Sequence, residues 1–202
     1  RGKNIAAALL KAYAAKQFQA QSDVSSFAAS VTTMLKQTGH DGHLYLRYNP
    51  AKVAALKQKV PETDSVADPF YYGPDAVKNN YGFRDVRILQ DSIGYIRLSE
   101  INLSKKSLDL LAAAMVFVQH TKALILDLRD NGGGGSDAGG VLEGYFVPDQ
   151  TVLLDFKNRK GIQEQVKAVT LHPEYQYHQP LYILVNRKTA SAAEAIAFEL
   201  QR

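Results

Sequence analysis

Apolar positions along this chain follow two periods, and the switch between them divides it. In residues 5–35 the spacing is helical: Ile5, Ala8, Leu9 and Ala12 share one face, and Val24, Phe27, Ala28, Val31, Met34 and Leu35 share another. This predicts two helices in a small N-terminal bundle, the second capped by Ser22 or Asp23. Thr38-Gly39-His40-Asp41-Gly42 is a turn cluster. Leu44-Tyr45-Leu46-Arg47-Tyr48 then reads as a strand, stopped by Asn49-Pro50. Residues 50–80 are weakly patterned and carry Pro61, Pro69, Gly73 and Pro74, so they predict a connection with one short helix over 51–59.

From Tyr81 the period shortens. Phe83, Val86, Ile88 and Leu89 predict a strand, Asp91-Ser92 a turn, and residues 93–98 a second strand, together a hairpin. Residues 104–120 predict a helix with Leu108, Leu111, Ala112, Met115 and Val118 facing inward. Residues 123–128 are almost continuously apolar, as in a parallel strand buried on both faces. A glycine loop follows, then a helix over 138–146, a strand over 151–156 and its hairpin partner near 163–170. Leu181-Tyr182-Ile183-Leu184-Val185 predicts a last buried strand, and residues 192–200 a helix of good formers. The expected organisation is a helical piece ending in a strand at 1–48, a connection at 49–80, and an α/β core at 81–202. The last helix carries no stop signal before Arg202, so the core is expected to continue past it.

Composition narrows the class. The 202 residues include no cysteine, which excludes disulfides and leaves only His and carboxylates for zinc. The net charge of +4 is scattered apart from short clusters such as Lys157-Asn158-Arg159-Lys160, so no nucleic-acid partner is expected. No apolar run approaches the roughly 20 residues of a membrane span. No signal peptide is visible; the chain starts at Arg1, so upstream residues are expected to have been removed, with room among them for a signal.

Two corners carry the candidate chemistry. Ser191 sits where the last strand turns into the last helix, beside unpaired helix N–H groups that favour negative charge. A nucleophile or a developing oxyanion would be stabilised there. The same residues, Ser191-Ala192-Ala193-Glu194, also spell a capping box, a purely structural helix start. The other corner is Asp127-Leu128-Arg129-Asp130-Asn131-Gly132-Gly133-Gly134-Gly135. A phosphate loop fails for lack of a closing Gly-Lys-Ser/Thr. An EF-hand fails because Arg129 and Ala138 stand at ligand positions. A dinucleotide loop, Gly133-x-Gly135-x-x-Ala138 with Asp155 beyond, stays open, as does a loop tip without a role. The remaining reading is an oxyanion hole, in which a bare glycine N–H and that of Ala192 converge on one oxygen. It requires the two strands to be neighbours with both loops at one sheet edge. Among five histidines, His43 is the best placed base; His40 and His43 also make a weak metal-type pair.

These residues match a known pattern. Asp127–Gly134 and Thr189–Glu194, about 60 residues apart, resemble the S41 serine peptidases, which include tail-specific peptidases, the tricorn core and the repeats of interphotoreceptor retinoid-binding protein. Asn80-Tyr81-Gly82-Phe83, residues 93–98 and Asp41-Gly42-His43-Leu44 support the match. The resemblance implies a ClpP/crotonase-like core of ββα units. It also implies Ser191 as nucleophile, with the N–H groups of Ala192 and of Gly133 or Gly134 as the oxyanion hole. Tail-specific members carry a PDZ domain; here residues 47–91 are too few for one, so the chain resembles the retinoid-binding-protein-like branch. Tail-specific members take their base from a lysine one strand and helix past the serine, which would fall beyond Arg202. Tricorn-like members use a histidine at the place of His43, supported by a glutamate that would also fall beyond Arg202. The chain as given is therefore expected to lack catalytic elements. The resemblance implies a serine endopeptidase of polypeptides, with no cofactor or metal, in the periplasm or secreted. The alternative it offers is a non-catalytic carrier of retinoid or fatty acid on the same fold.

Overall fold

The computed structural model describes residues 2–50, 53–54, 72–102, 104–135, 140–158 and 160–201. The chain divides into two compact units, Arg1–Thr63 and Asp64–Arg202.

The first unit is built on α1 (Gly2–Ala14) and α2 (Val24–Gly39). Asp23 is the cap of α2: its carboxylate accepts the Ser26 N–H at 2.9 Å and the Ser26 hydroxyl at 2.6 Å. Ala12, Ala28 and Val31 are buried, and Phe18 meets Phe27 edge-on at 5.4 Å. His40 ends α2 in the left-handed conformation, at φ 48°. The strand expected over 44–48 does not form. That segment has no partner strand among the described residues; the Thr32 hydroxyl instead bonds both the N–H and the carbonyl of Leu46. Alternation alone makes no ladder when Tyr45, Leu46 and Tyr48 face solvent. Of the short helix expected over 51–59, residues 53 and 54 are helical and the rest lies outside the described residues.

The second unit opens with a short α3 (Pro74–Lys78) and is built on a four-stranded sheet. Its strands are β1 (Phe83–Leu89), β2 (Ile93–Leu98), β3 (Ala123–Asp127) and β6 (Leu181–Leu184), in the order β1-β2-β3-β6. β1 and β2 form the expected hairpin around Asp91, at φ 60°. β2 and β3 are parallel, with Ile93 opposite Ala123, and need the crossover helix α4 (Lys105–Val118) to join them. β3 and β6 are also parallel, with Leu124 opposite Leu181. β4 (Val152–Asn158) and β5 (Gly161–Lys167) make a separate two-stranded sheet. The last helix is α5 (Ala192–Glu199).

The core lies between sheet and helices. Leu124, Leu126 and Leu128 of β3 and its extension are fully buried, as are Met115 and Val118 of α4. Each such side chain stabilises the fold by about 1.5–3 kcal/mol. The inward face of α4 is turned slightly from the expected one: Ser107 and Ala114 are buried and Ala112 only half so. The helix expected over 138–146 is not seen in its described part, where only a 3-10 turn, Glu143–Tyr145, forms. Gly140 and Gly144 within six residues remove the propensity a longer helix needs.

Asp127 closes β3 and is wholly buried. It accepts from the Tyr95 hydroxyl at 2.6 Å, from Arg129 Nε at 2.9 Å, from Arg129 Nη2 at 2.6 Å and from the Arg129 N–H at 3.0 Å. The Arg129 guanidinium, and after it the Tyr95 hydroxyl, hold this carboxyl well below the ordinary value of 3.8. Burial, and then Asp127 itself, pushes the Tyr95 hydroxyl up. Since the folded pKa is the lower one, the stabilisation is complete above the unfolded value and is lost as pH falls through 4 towards the folded value. Asp127→Asn is expected to lower stability at neutral pH by about 1–3 kcal/mol. Urea unfolding between pH 7 and 3 checks this: the deficit of the variant should shrink with acid, and a constant deficit would assign the loss to packing instead.

Candidate active site

Parallel strands bring their carboxyl ends to one edge of a sheet. The loop after β3, with the four glycines, and the corner after β6, with Ser191, therefore leave the sheet side by side. Hydrogen bonds stitch them together. The Ala190 N–H donates to the Asn131 carbonyl at 3.0 Å, and the Thr189 hydroxyl to the Leu128 carbonyl at 2.8 Å. Asn186 bonds Asp130 twice, accepting its N–H and donating to its carboxylate, both at 3.1 Å. Asn131 is fully buried; its Nδ2 donates to the Leu98 carbonyl at 3.0 Å and its Oδ1 accepts the Gly133 N–H at 2.9 Å. A bridge between Ile101 and Gly134 fixes the outer side of the glycine loop.

Gly133 lies directly against the serine corner. A Cβ there would stand 2.7 Å from the Ala190 carbonyl oxygen, 2.7 Å from Ser191 Cβ and 2.9 Å from the Ala192 nitrogen. Its φ of +93° is a second reason for glycine.

Ser191 does not cap α5. Its φ of 55° and ψ of −127° lie outside every basin that an L-residue favours, and its side chain makes no capping bond. A capping serine needs extended dihedrals to turn its oxygen onto the first-turn N–H groups. The capping-box reading is thus overturned. Ser191 is exposed, and its carbonyl accepts the first helical bond, from Ala195 at 2.9 Å. A strained serine on a strand-to-helix turn is the arrangement by which nucleophile elbows expose an Oγ.

The amides around Ser191 are not equivalent. Gly133 N–H is held by Asn131, and Gly135 N–H donates to the Ile101 carbonyl at 3.2 Å. Gly134 N–H has no hydrogen-bond partner among the described residues, and Ala192 N–H begins the helix.

Ser191, Ala192, Gly134 and Gly135 line a cavity of about 260 Å³. Ile101 and Ile196 wall one part of it; Leu154, Phe156 and Val166 of the β4–β5 hairpin wall another. Glu143 and Glu199 also line it. Glu143 is 5% exposed and lies beside Glu199. Burial first, and then the Glu199 carboxylate, push its carboxyl up to about 7. The sequence reading missed both glutamates; the signal was one charged residue inside the apolar run Val141-Leu142-Glu143-Gly144-Tyr145-Phe146. A wider cleft of about 600 Å³ lies along β6 and a different face of α5, and touches neither Ser191 nor the glycines.

His43 belongs to the first unit and is largely exposed. Asp41 Oδ1 accepts its backbone N–H at 2.9 Å and lies 3.1 Å from its Nδ1. That contact puts the ring proton on Nδ1 and leaves Nε2 as the acceptor. Lys188 is exposed and pairs with Asp130 at 3.3 Å. Among the described residues, no three or more of His, Asp and Glu are grouped so as to hold a metal ion. No described helix is long and apolar enough to cross a membrane.

Fold and site together define an α/β protein with a serine corner facing a glycine loop. The model of peptidase family S41 matches residues 92–202, and the chain belongs to that family. It is similar to the carboxyl-terminal-processing protease of Synechocystis sp., with 37% identity over 110 residues, 54% of this chain and 25% of that protein. To the carboxyl-terminal-processing protease of Picosynechococcus sp. it is 33% identical over 164 residues, 77% of this chain and 37% of that protein. The chain thus spans between 25% and 37% of the length of these two relatives. A solved structure from Parabacteroides merdae matches 89% of this chain and 59% of its own with a TM-score of 0.53 at 18% identity, a likeness of fold alone.

Proposed function

We propose that this chain carries the nucleophile and the oxyanion hole of a serine endopeptidase acting on polypeptides. The observation that carries the reading is the backbone of Ser191. A helix cap has no use for φ 55° and ψ −127°, whereas an attacking hydroxyl needs to be lifted clear of its own helix. Gly134 and Ala192 supply the two oxyanion donors; Gly133, the other glycine offered by sequence, serves as the close-packed spacer between the corners.

In this reading Ser191 Oγ attacks the peptide carbonyl carbon and its proton passes to the base. The carbonyl oxygen takes the negative charge, held by the two N–H groups. The C–N bond then breaks as the base returns the proton to the leaving amine. Water, deprotonated by the same base, hydrolyses the acyl-serine and restores Oγ–H. The resemblance offers His43 or a lysine as the base; within the first unit Asp41 Oδ1 lies 3.1 Å from His43 Nδ1. A periplasmic or secreted location accords with this activity.

A fluorophosphonate probe applied to the whole protein tests the reading. It is expected to label Ser191 stoichiometrically and to stop peptide hydrolysis. An unlabelled Ser191, with saturable binding of retinoid or fatty acid in the same cavity, would instead favour the carrier.

A further inference from the structure

β1 is an edge of the main sheet: β2 pairs one side of it, and no described strand pairs the other. Such an edge turns N–H and C=O groups outward, where a further strand can meet them. Its side chains sort by face. Val86 and Ile88 stand opposite Ile96 and Gly94 of β2, on the α4 side, where a Cβ added to Gly94 would meet Val118. Asp85 and Arg87 stand opposite Arg97 and Tyr95, on the other side. On the α4 side Phe83 and Val86 line an apolar cleft of about 230 Å³ with Leu110, Ala113 and Phe117, which follow one stripe of the helix. Phe117 is 54% exposed and Ile88 50%. On the other side Arg87 Nε lies 3.2 Å from Asp85 Oδ2, and both charged side chains stay open to solvent.

We infer that β1 is the interface between two copies of this chain, which pair antiparallel about a two-fold axis through Val86 and join their sheets into one. The inference goes beyond the peptidase reading and does not depend on it. What selects a second copy is the order of charges in Asp85-Val86-Arg87. Turned end for end, this triplet meets itself: Val86 stands opposite Val86, Asp85 opposite the other copy's Arg87, and Arg87 opposite its Asp85. Unlike charges directly opposed stabilise an antiparallel pair, and like charges destabilise it. The neighbouring registers fail on that rule. An axis through Asp85 sets Asp85 against Asp85, and an axis through Arg87 sets Arg87 against Arg87. A slip of one residue places the α4 side of one copy beside the charged side of the other. In the register through Val86 the same patch serves both copies, and the exposed Ile88 and Phe117 of each lie on one side of the seam.

The mass of the whole protein in dilute buffer at low salt tests this, by light scattering or sedimentation equilibrium. The unmodified protein is expected to be a dimer at micromolar concentration. Asp85→Arg opposes cations across the axis and Arg87→Asp opposes anions, so each is expected to raise the dissociation constant on the order of 10²-fold with circular dichroism unchanged. An equimolar mixture of the two variants should recover a dimer holding one chain of each, because every cation then faces an anion again. Mere damage to β1 would not produce that recovery. The double exchange Asp85→Arg with Arg87→Asp in one chain keeps the same register and should dimerise as the parent does; it decides the matter if either single variant fails to fold. A monomer at every concentration overturns the interface. So do single variants that associate as tightly as the parent, or folded single variants that do not pair with each other.

Discussion

Replacing Ser191 by glycine is expected to abolish hydrolysis and to stabilise the protein at the same time. The two effects have separate origins. Hydrolysis goes because Oγ is the attacking atom of the proposed reaction; loss of such a nucleophile lowers kcat by a factor on the order of 10⁴–10⁶. Stability rises because φ 55° with ψ −127° is a conformation glycine adopts freely and serine does not. Strain of this kind costs about 1–3 kcal/mol, and glycine gives back up to about 1 kcal/mol as unfolded-state entropy. The net expectation is a gain of about 1–2 kcal/mol. Ser191→Ala is the control, since it removes the same oxygen and keeps the strain; its stability should stay within about 0.5 kcal/mol of the parent. Urea midpoints of the three proteins decide the matter. A glycine variant no more stable than the alanine variant would mean that the backbone at Ser191 stores nothing.

Gly133→Ala should act in the opposite direction on the fold and in the same direction on the chemistry. Its new methyl group would sit 2.7 Å from the Ala190 oxygen and from Ser191 Cβ, and all three neighbours belong to the serine corner. Either the glycine loop or the start of α5 must shift. Overpacking and the cost of φ +93° for alanine together amount to about 2–4 kcal/mol. Displacing an oxyanion donor lowers kcat by about 10²–10³. Gly132→Ala has nothing within 4 Å of its added carbon and should leave midpoint and kcat close to the parent values. Equal behaviour of the two variants would show that the loops do not bear on each other.

The architecture was legible where apolar spacing is decided locally. The hairpin of β1 and β2, the buried strand β3, the crossover α4 and the strand–helix unit at the end all follow from period and from turn residues. The neighbourhood of the two corners was also foreseen, because parallel strands of one sheet send their loops to one edge. What sequence did not give is the conformation of Ser191. Ser191-Ala192-Ala193-Glu194 spells a cap as well as any helix start. The dihedrals are set from outside it, by the bond from Ala190 to Asn131 and the close approach of Gly133. Asn131 itself could be read as a turn residue before glycine, but its role as clamp needs Leu98, 33 positions earlier in the chain. Residues 44–48 alternate like a strand and find no partner strand among the described residues, since a ladder needs a partner that no local pattern supplies. Glu143 was missed for a related reason: searching for apolar period passes over a single glutamate.

Among the described residues the β4–β5 hairpin shares no ladder with the main sheet, yet Leu154, Phe156 and Val166 form a wall of the cavity at Ser191. The serine corner and one wall of the cavity beside it are therefore fastened to different frames. Exchanging the bulk or polarity of those three side chains would reshape the cavity while the stitched corners at Asn131 and Ala190 stay as they are.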